Sequence, residues 1–226
     1  MNPEQIHNLY AYSSDVEQAL IKLETLLQKP TRSIVGLIGY PGAGKSTLAN
    51  YLESRMEELH PGQVISLSMD GFHFPKDTLK QWPNASEALA KRGAPWTFDS
   101  AALINRVHQL LFQYQQQDVK WPSFDHSVGD PIEEDILIPQ SAKIVIIEGL
   151  YLLHNADGWQ ECCHLLDQCW FLNTPLELAL EQLAKRHMQD WGCDYDQAML
   201  KIQQSDAPNA NLVLASKSAA DWSLTV

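Results

Sequence analysis

The sequence lacks the features typical of membrane-spanning and nucleic-acid-binding proteins. A membrane helix needs about 18 consecutive apolar residues, and the longest apolar stretch here, KIVIIEGLYLL, is interrupted by Glu148 and Gly149. Cations are few, because 16 Lys and Arg stand against 28 Asp and Glu, and the formal net charge is −12. This charge argues against nucleic acid or an anionic membrane as a general partner. An anionic ligand would have to be held by a local cationic site.

Cysteine is also scarce. The four cysteines, Cys162, Cys163, Cys169 and Cys193, form no CxxC pair and no zinc-ligand spacing. The first residues, MNPEQIHNLYAYSSD, do not have the basic-then-apolar layout of a secretory signal. We therefore expect reduced thiols and a cytoplasmic location.

The apolar patterns predict an α/β protein. Four short apolar segments predict buried strands, namely RSIVGLIG, QVISLSMD, KIVIIEG and QCWFLNT. Segments with helical spacing alternate with them, including one from Lys45 to about Leu59, SAALINRVHQLLFQYQQQ, and PLELALEQLAKRHMQDWG, which stops at Gly192. This alternation predicts a mainly parallel sheet with helices on both faces.

The remaining segments give weaker signals. Residues 72–99 suggest loops and short helices, VKWPSFDHSVGDPIEED suggests a loop-rich stretch, and the tail NLVLAS…WSLTV suggests one or two short strands. SSDVEQALIKLETLLQK has helical spacing and precedes the first strand. We predict one domain over residues 1–226, with a helical extension at about residues 1–30.

A phosphate-binding loop stands between the first strand and the next helix. GYPGAGKST, residues 39–47, matches the pattern GxxxxGK[ST]. Glycines let the backbone turn tightly and present N–H groups to phosphate oxygens, and the start of the helix adds the positive end of its dipole. Lys45 then reaches the β- and γ-phosphates, and the Ser46 hydroxyl can bind Mg²⁺. The predicted nucleotide-binding residues here are Gly39, Tyr40, Pro41, Gly42, Ala43, Gly44, Lys45, Ser46 and Thr47.

Two acidic residues follow predicted strands. Glu148 ends KIVIIEG, and Asp70 follows QVISLS and precedes Gly71. Ligands of open α/β sheets bind beyond the carboxyl ends of the strands, so Glu148 is a candidate Mg²⁺ ligand and Asp70 a candidate acceptor for the proton of an attacking hydroxyl. Alternatively, Glu148 is a surface acid, Asp70 caps the next segment, and His73 is either a pocket residue or a loop histidine. No guanine-reading N-K-x-D segment occurs, which disfavours a GTPase.

The ordered motifs resemble a family of P-loop small-molecule kinases that includes uridine kinase, phosphoribulokinase and type I pantothenate kinase. They are GYPGAGKST, MDGFHFP, KRGAPWTFD, WPSFDHSVGDPI, IVIIEGLYLL, LAKRH and SDAPNANLV, and they cover residues 33–214. MDGFHFP and KRGAPWTFD are most similar to pantothenate kinases and to a nucleoside kinase-like, fructose-transport-associated branch. The DDFY-type segment of uridine kinases reads DGFH here, which weakens a nucleoside assignment.

The resemblance implies a three-layer P-loop fold, the cofactors ATP and Mg²⁺, and a small-molecule acceptor with a free hydroxyl. It also implies a possible homodimer and a short lid near residues 186–194. Asp70 matches the family's catalytic base, and Ser46 and Glu148 match its magnesium positions. Arg186, at the lid, would meet the transferring phosphate, and Asn209 lies in the segment beside the adenine. The implied acceptor pocket spans residues 70–99 and 121–131, with candidates Asp70, His73, Arg92, Asp99, Asp125 and His126.

Alternatives remain open at this point. Asp99 is also a good N-cap, Arg92 could pair with a surface acid, and Arg186 could be an ordinary cation near a helix C-terminus. The main reading is an ATP-dependent kinase that phosphorylates a hydroxyl of a pantothenate-, nucleoside- or sugar-like metabolite. One rival is a nucleotide-binding regulatory or assembly protein without such an acceptor. Another, a nucleoside monophosphate kinase, would need a cationic site for the acceptor's phosphate.

Overall fold

Residues 9–125 and 127–226 are described by the structure, which is a computed structural model. Its central strands are β1 (Ser33–Ile38), β2 (Val64–Ser68), β5 (Ile144–Gly149), β6 (Gln168–Leu172) and β7 (Trp222–Leu224). They form one sheet in the order β2-β5-β1-β6-β7, and every pair in it is parallel. β1 and β5 are buried along their whole length, as expected for a sheet covered on both faces. The predicted three-layer α/β fold is confirmed.

Helices connect these strands. They are α1 (Ser14–Leu27), α2 (Lys45–Leu59), α3 (Lys76–Leu79), α4 (Ala85–Ala90), α5 (Ser100–Phe112), α6 (Leu176–Trp191), α7 (Tyr195–Lys201) and α8 (Ala207–Ser216). The bounds of α2 agree with the sequence prediction. The buried face of α1, with Val16, Leu23 and Leu26, belongs to the same hydrophobic cluster as β1 and β5. None of the helices in the described part of the chain is long and apolar enough to cross a membrane.

The register of the sheet brings three chain segments to one edge. Glu148 near the end of β5 lies opposite Leu37 of β1 on one side and Ser68 of β2 on the other. The segments that begin at Gly39 and Met69 therefore leave the sheet beside Glu148. This edge is the carboxyl edge, where ligands of open parallel sheets bind.

The prediction that VKWPSFDHSVGDPIEED is loop-rich was wrong, because most of its described residues lie in two strands. The stretch forms most of an antiparallel hairpin of β3 (Val119–Asp125) and β4 (Asp130–Ile138), with a register irregularity between Trp121 and Ser123. Pro122 sits at this irregularity, where a missing N–H does not break the ladder. β4 is largely exposed, so it lacks the apolar pattern by which strands are recognised. The buried Trp121 ring packs on Phe72, with ring centroids 4.8 Å apart, and joins the hairpin to the central sheet.

The tail is partly different from the prediction. NLVLAS belongs to the helix α8, whereas WSL forms the strand β7. A short apolar run does not by itself distinguish a strand from a buried helix, and Pro208 in the first turn of α8 favours the helix.

The predicted lid near residues 186–194 contains the end of α6 and the turn to α7. Gly192, with φ 63°, ends α6, and Asp194 caps α7 through a capping box with Gln197. A small cluster of buried side chains joins α6 to α7 and to the π-helical turn Ile202–Asp206, and its members are Leu183, Ala184, Ala198 and Ile202. The lid role stays a prediction.

Candidate active site

The GxxxxGKS segment forms a tight loop between β1 and α2. Gly42 and Gly44 have φ values of 77° and 91°, in the left-handed region that favours glycine. A Cβ at Gly42 would lie 2.2 Å from the Ala179 carbonyl oxygen of α6, so the close packing of α6 also requires glycine there. Thr174 Oγ1 donates a 2.9 Å hydrogen bond to the Ala43 carbonyl, which ties the loop to the start of α6. The loop is thus held in a tight, glycine-dependent conformation by α6 and the residues just before it.

Lys45 lies in the first turn of α2 and is buried. Its Nζ donates a 3.0 Å hydrogen bond to the Tyr40 carbonyl of the loop. Burial lowers the pKa of this ammonium below its ordinary value, and the nearby charges of Glu148 and Asp70 oppose the change. The ammonium therefore stands in a poorly hydrated place next to two carboxylates, where electrostatic interactions are strong.

Ser46 and Glu148 meet at the carboxyl edge of the sheet. The Ser46 hydroxyl donates a 2.9 Å hydrogen bond to Glu148 Oε1. Burial raises the pKa of the Glu148 carboxyl, Lys45 opposes the rise, and Asp70 adds to it. A hydroxyl and a carboxylate are the oxygen ligands that suit Mg²⁺, which typically keeps most of its waters and takes one or two protein ligands. This donor pair fits a magnesium ion bound together with nucleotide phosphates.

Asp70 is placed by a 3₁₀ turn, Met69–Phe72, directly after β2. The Ser68 hydroxyl accepts a 3.2 Å hydrogen bond from the Asp70 N–H at the start of this turn. A Cβ at Gly71 would lie 2.1 Å from the Pro122 carbonyl oxygen. Gly71 is therefore required by the close approach of the β3–β4 hairpin, a cause that the sequence did not reveal.

One cleft of about 370 Å³ connects these elements. The sequence-predicted residues that line it are Pro41, Gly42, Lys45, Ser46, Asp70, His73, Arg92, Glu148, Arg186 and Asn209. A larger groove of about 770 Å³ runs between α5 and the hairpin, and five of its eleven lining residues are Gln. None of the sequence-predicted site residues lines that groove, so the smaller cleft is the candidate site.

His73 and two phenylalanines form an aromatic wall of the cleft. The His73 ring packs against Phe98, with ring centroids 3.8 Å apart, and against Phe124 at 4.8 Å. The Asp70 carbonyl lies 2.8 Å from His73 Nδ1 and accepts a hydrogen bond from it when Nδ1 is protonated. This bond and the ring contacts fix the imidazole beside Asp70.

Arg92 also lines the cleft, but its guanidinium is largely engaged inside the protein. Nη2 lies 2.7 Å from Asp130 Oδ1, Nε and Nη2 donate to the Phe74 carbonyl at 3.3 and 2.9 Å, and Nη1 donates to the Gly129 carbonyl. Burial lowers the pKa of this guanidinium, and Asp130 opposes the change. The alternative that Arg92 pairs with an acid accounts for these contacts. The acid is Asp130, at the start of the hairpin strand β4.

Two predicted acceptor residues, Asp99 and Asp125, lie outside the lining of the cleft. Asp99 is the N-cap of α5, where its Oδ1 accepts a 2.8 Å hydrogen bond from the Ala102 N–H. Asp125 Oδ1 accepts from the N–H groups of Ser127 and Val128 at the tip of the hairpin. Neither carboxylate lines the cleft, and His126 lies outside the described residues. Substrate contact by these three residues stays a prediction.

Asn209 is buried and reaches the acceptor side of the cleft. Its Nδ2 donates a 3.1 Å hydrogen bond to the Gly93 carbonyl, which also accepts a 2.6 Å bond from the Tyr151 hydroxyl. Gly93 belongs to KRGAPWTFD, one of the motifs assigned to the acceptor pocket. This hydrogen bond therefore joins SDAPNANLV to the acceptor pocket. It does not support the predicted role of Asn209 beside the adenine, which stays a prediction.

Three further side chains that line the cleft, those of His187, Asp206 and Lys76, were not among the predicted site residues. His187 Nε2 lies 3.0 Å from Asp206 Oδ2, and the His187 ring stacks on Trp191 with centroids 4.2 Å apart. Both members of the His–Asp pair line the cleft, as does Lys76. The sequence offered one indication of them, which is that each lies in or next to a recognised motif. His187 ends LAKRH, Asp206 lies within SDAPNANLV, and Lys76 directly follows MDGFHFP.

Comparisons with known proteins agree with this architecture. A sequence profile described as the phosphoribulokinase/uridine kinase family matches residues 34–226. A protein of Schizosaccharomyces pombe named "putative uridine kinase" is 35% identical over 190 residues, which cover 83% of this chain and 80% of that protein. The "ATP-dependent kinase YFH7" of Zygosaccharomyces rouxii is 31% identical over 230 residues, covering 89% of this chain and 60% of that protein.

A solved structure shares the fold. A "putative fructose transport system kinase" from Silicibacter has a TM-score of 0.80 and 30% sequence identity, and the match covers 91% of this chain and 97% of that one. The likeness to this kinase agrees with the branch that MDGFHFP and KRGAPWTFD indicate.

Proposed function

We propose that this chain, which belongs to the phosphoribulokinase/uridine kinase family, transfers the γ-phosphoryl group of ATP to a hydroxyl group of a small metabolite. Membership of this family of P-loop kinases supports ATP-dependent kinase activity. The observation that carries the proposal is the convergence of Lys45, Asp70 and Arg186 on one cleft, which continues to the aromatic wall at His73. Such a cleft has room for a nucleotide's phosphates and for a second, hydroxyl-bearing molecule.

The loop of residues 39–47 would hold the phosphates of ATP. Its N–H groups and the start of α2 are suited to phosphate oxygens. Lys45 would neutralise charge on the β- and γ-phosphates, and Arg186 would do so on the transferring group. Ser46 and Glu148 would hold Mg²⁺, which supplies further neutralisation of the phosphate charge.

Asp70 would act on the acceptor. It lies beside Lys45 and Glu148 at the edge of the sheet, and its carboxylate can orient the hydroxyl and take its proton. The bond between the γ-phosphorus and the bridging oxygen of ATP breaks, and a bond from the acceptor oxygen to phosphorus forms. The products are ADP and a phosphate ester, and the proton passes to Asp70. A closed cleft would exclude water, so that ATP is not hydrolysed instead.

A screen of hydroxyl-bearing metabolites with Mg·ATP, read by ADP release, tests the proposal. We expect at least one compound to raise ADP formation well above the basal rate, and Asp70→Asn to abolish the increase while ATP still binds. If no compound in a broad panel raises the rate, a regulatory or assembly protein becomes the better account. A matched control is Asp77→Asn, because Asp77 is an exposed acid of α3 that pairs with Lys80.

A further inference from the structure

The acceptor end of the cleft is built around the tip of the β3–β4 hairpin. Asp130 lies at its centre, because its Oδ1 accepts hydrogen bonds from Arg92 Nη2 at 2.7 Å and from the Lys76 N–H at 2.9 Å. Arg92 also donates to the Gly129 carbonyl, and its guanidinium lies 5.6 Å from the Phe124 ring centroid. The hairpin tip, Arg92 just after α4, and the start of α3 are thus fixed to one another.

Within this frame the Lys76 side chain points to the hairpin tip. Its Nζ donates a 2.6 Å hydrogen bond to the Val128 carbonyl, which leaves two of its three N–H donors for other partners. Gly129 makes room for the ammonium, because a Cβ there would lie 2.7 Å from Lys76 Nζ. Lys76 and Gly129 both line the cleft.

Across residues 9–125 and 127–226, Lys76 forms no ion pair with a carboxylate. Asp130 is the acid of this frame, and its Oδ1 is already engaged by Arg92 and by the Lys76 backbone. The Lys76 side chain is half-buried and its bond to Val128 is exposed, so its ammonium is accessible to an anionic ligand in the cleft.

Lys76 and the cations assigned to ATP are held by different parts of the chain. Lys45 lies in the first turn of α2 and bonds to the Tyr40 carbonyl of the phosphate loop, whereas Lys76 Nζ bonds to the Val128 carbonyl of the hairpin. The neighbouring cation at the hairpin, Arg92, is paired with Asp130, so the Lys76 ammonium is the charge available there. In a protein with a net charge of −12, this second cation inside the cleft is suited to a second anionic group.

We infer that the acceptor carries a carboxylate or a phosphate as well as its reacting hydroxyl, and that Lys76 Nζ binds this anion while Arg92 and Asp130 hold the hairpin in place. The inference rests on the proposed function. It favours hydroxy acids and sugar phosphates over neutral sugars and nucleosides as acceptors.

Matched acceptor pairs test the inference and distinguish the two anions. D-glycerate is compared with glycerol, pantothenate with pantothenol, and ribose 5-phosphate with ribose, each with Mg·ATP and read as kcat/KM. We expect the anionic member of at least one pair to be favoured about 10- to 100-fold, the range of one charge-assisted hydrogen bond. Preference in the first two pairs identifies a carboxylate, and preference in the third a phosphate.

Variants assign the preference to Lys76. We expect Lys76→Gln to remove it through a higher acceptor KM with the ATP KM unchanged, and Lys76→Arg to retain most of it. Lys80→Gln is the control, because Lys80 is an exposed lysine at the end of α3 that pairs with Asp77. A preference that survives in Lys76→Gln, or neutral acceptors that match the anionic ones, would overturn the inference and leave the kinase proposal intact.

A binding measurement keeps the two proposals separate. The complex with Mg²⁺ and a non-hydrolysable ATP analogue is titrated with inorganic phosphate and with D-glycerate by calorimetry. We expect binding of at least one probe in the wild type and its loss in Lys76→Gln. Equal binding by both proteins, or none by the wild type, contradicts the anion site. A lack of turnover with every compound of the broad panel contradicts the kinase proposal instead.

Discussion

Substitution of Asp99 distinguishes a helix cap from a substrate ligand. Its Oδ1 accepts a 2.8 Å hydrogen bond from the Ala102 N–H at the start of α5, and loss of such a cap costs about 0.5–2 kcal/mol. Unfolding entropy is about 2.1 cal/mol/K per residue, or roughly 0.5 kcal/mol/K for the 226 residues, so each 1 kcal/mol lowers Tm by about 2 °C. We therefore expect Asp99→Ala to lower Tm by about 1–4 °C.

Asp99→Asn supplies the comparison. Asparagine caps a helix about as well as aspartate, so the Tm should change little. If capping is the role of Asp99, the acceptor KM of Asp99→Asn also stays near the wild-type value. The assays are thermal unfolding followed by circular dichroism and steady-state kinetics with an acceptor from the screen. A stable Asp99→Asn protein with a strongly raised acceptor KM would refute the capping account and support the contact implied by the family resemblance.

Three further predictions concern the phosphate loop, a buried cation and the thiols. Lys45→Ala should weaken Mg·ATP binding in calorimetry by about tenfold or more, because it removes a charge-assisted contact to phosphate; unchanged affinity would contradict the loop assignment. Arg32→Met should cost at least about 1–3 kcal/mol in urea unfolding, because it leaves the carbonyls of Leu110, Pro139, Gln140 and Ala142 without their donor. An unchanged free energy of unfolding would contradict this. Burial raises the pKa of the Cys162 and Cys169 thiols to about 12. Both thiols should therefore resist iodoacetamide at pH 8 until urea is added. Rapid labelling of the folded protein would contradict this, because it would show that the thiols are accessible.

The central sheet could be predicted from the sequence because its strands are wholly apolar. β1 and β5 are buried on both faces, and such strands appear as continuous apolar runs between turn residues. The loop of residues 39–47 was recognisable because its glycines are required by local backbone geometry, at Gly42 and Gly44. Local constraints of this kind are visible in a single sequence.

The acceptor side was less predictable because its geometry depends on contacts between distant segments. The hairpin strand β4 is exposed and charged, so its pattern resembles a loop. Gly71 is required because the carbonyl of Pro122 approaches it closely. Arg92 is held by Asp130, which lies 38 residues later in the chain. The role of such residues follows only from the fold, and for the same reason the sequence did not show that Lys76 lies beside Gly129.

The rate of phosphoryl transfer by Asp70→Asn tests the central claim most directly. Asparagine keeps the shape of the side chain and removes the proton acceptor, and general-base catalysis typically contributes about 10²- to 10⁴-fold. With an acceptor from the screen, we predict that kcat falls by this factor while the calorimetric affinity for Mg·ATP stays close to that of the wild type. A kcat near the wild-type value would remove Asp70 from the mechanism and contradict the proposal that this cleft activates a hydroxyl acceptor.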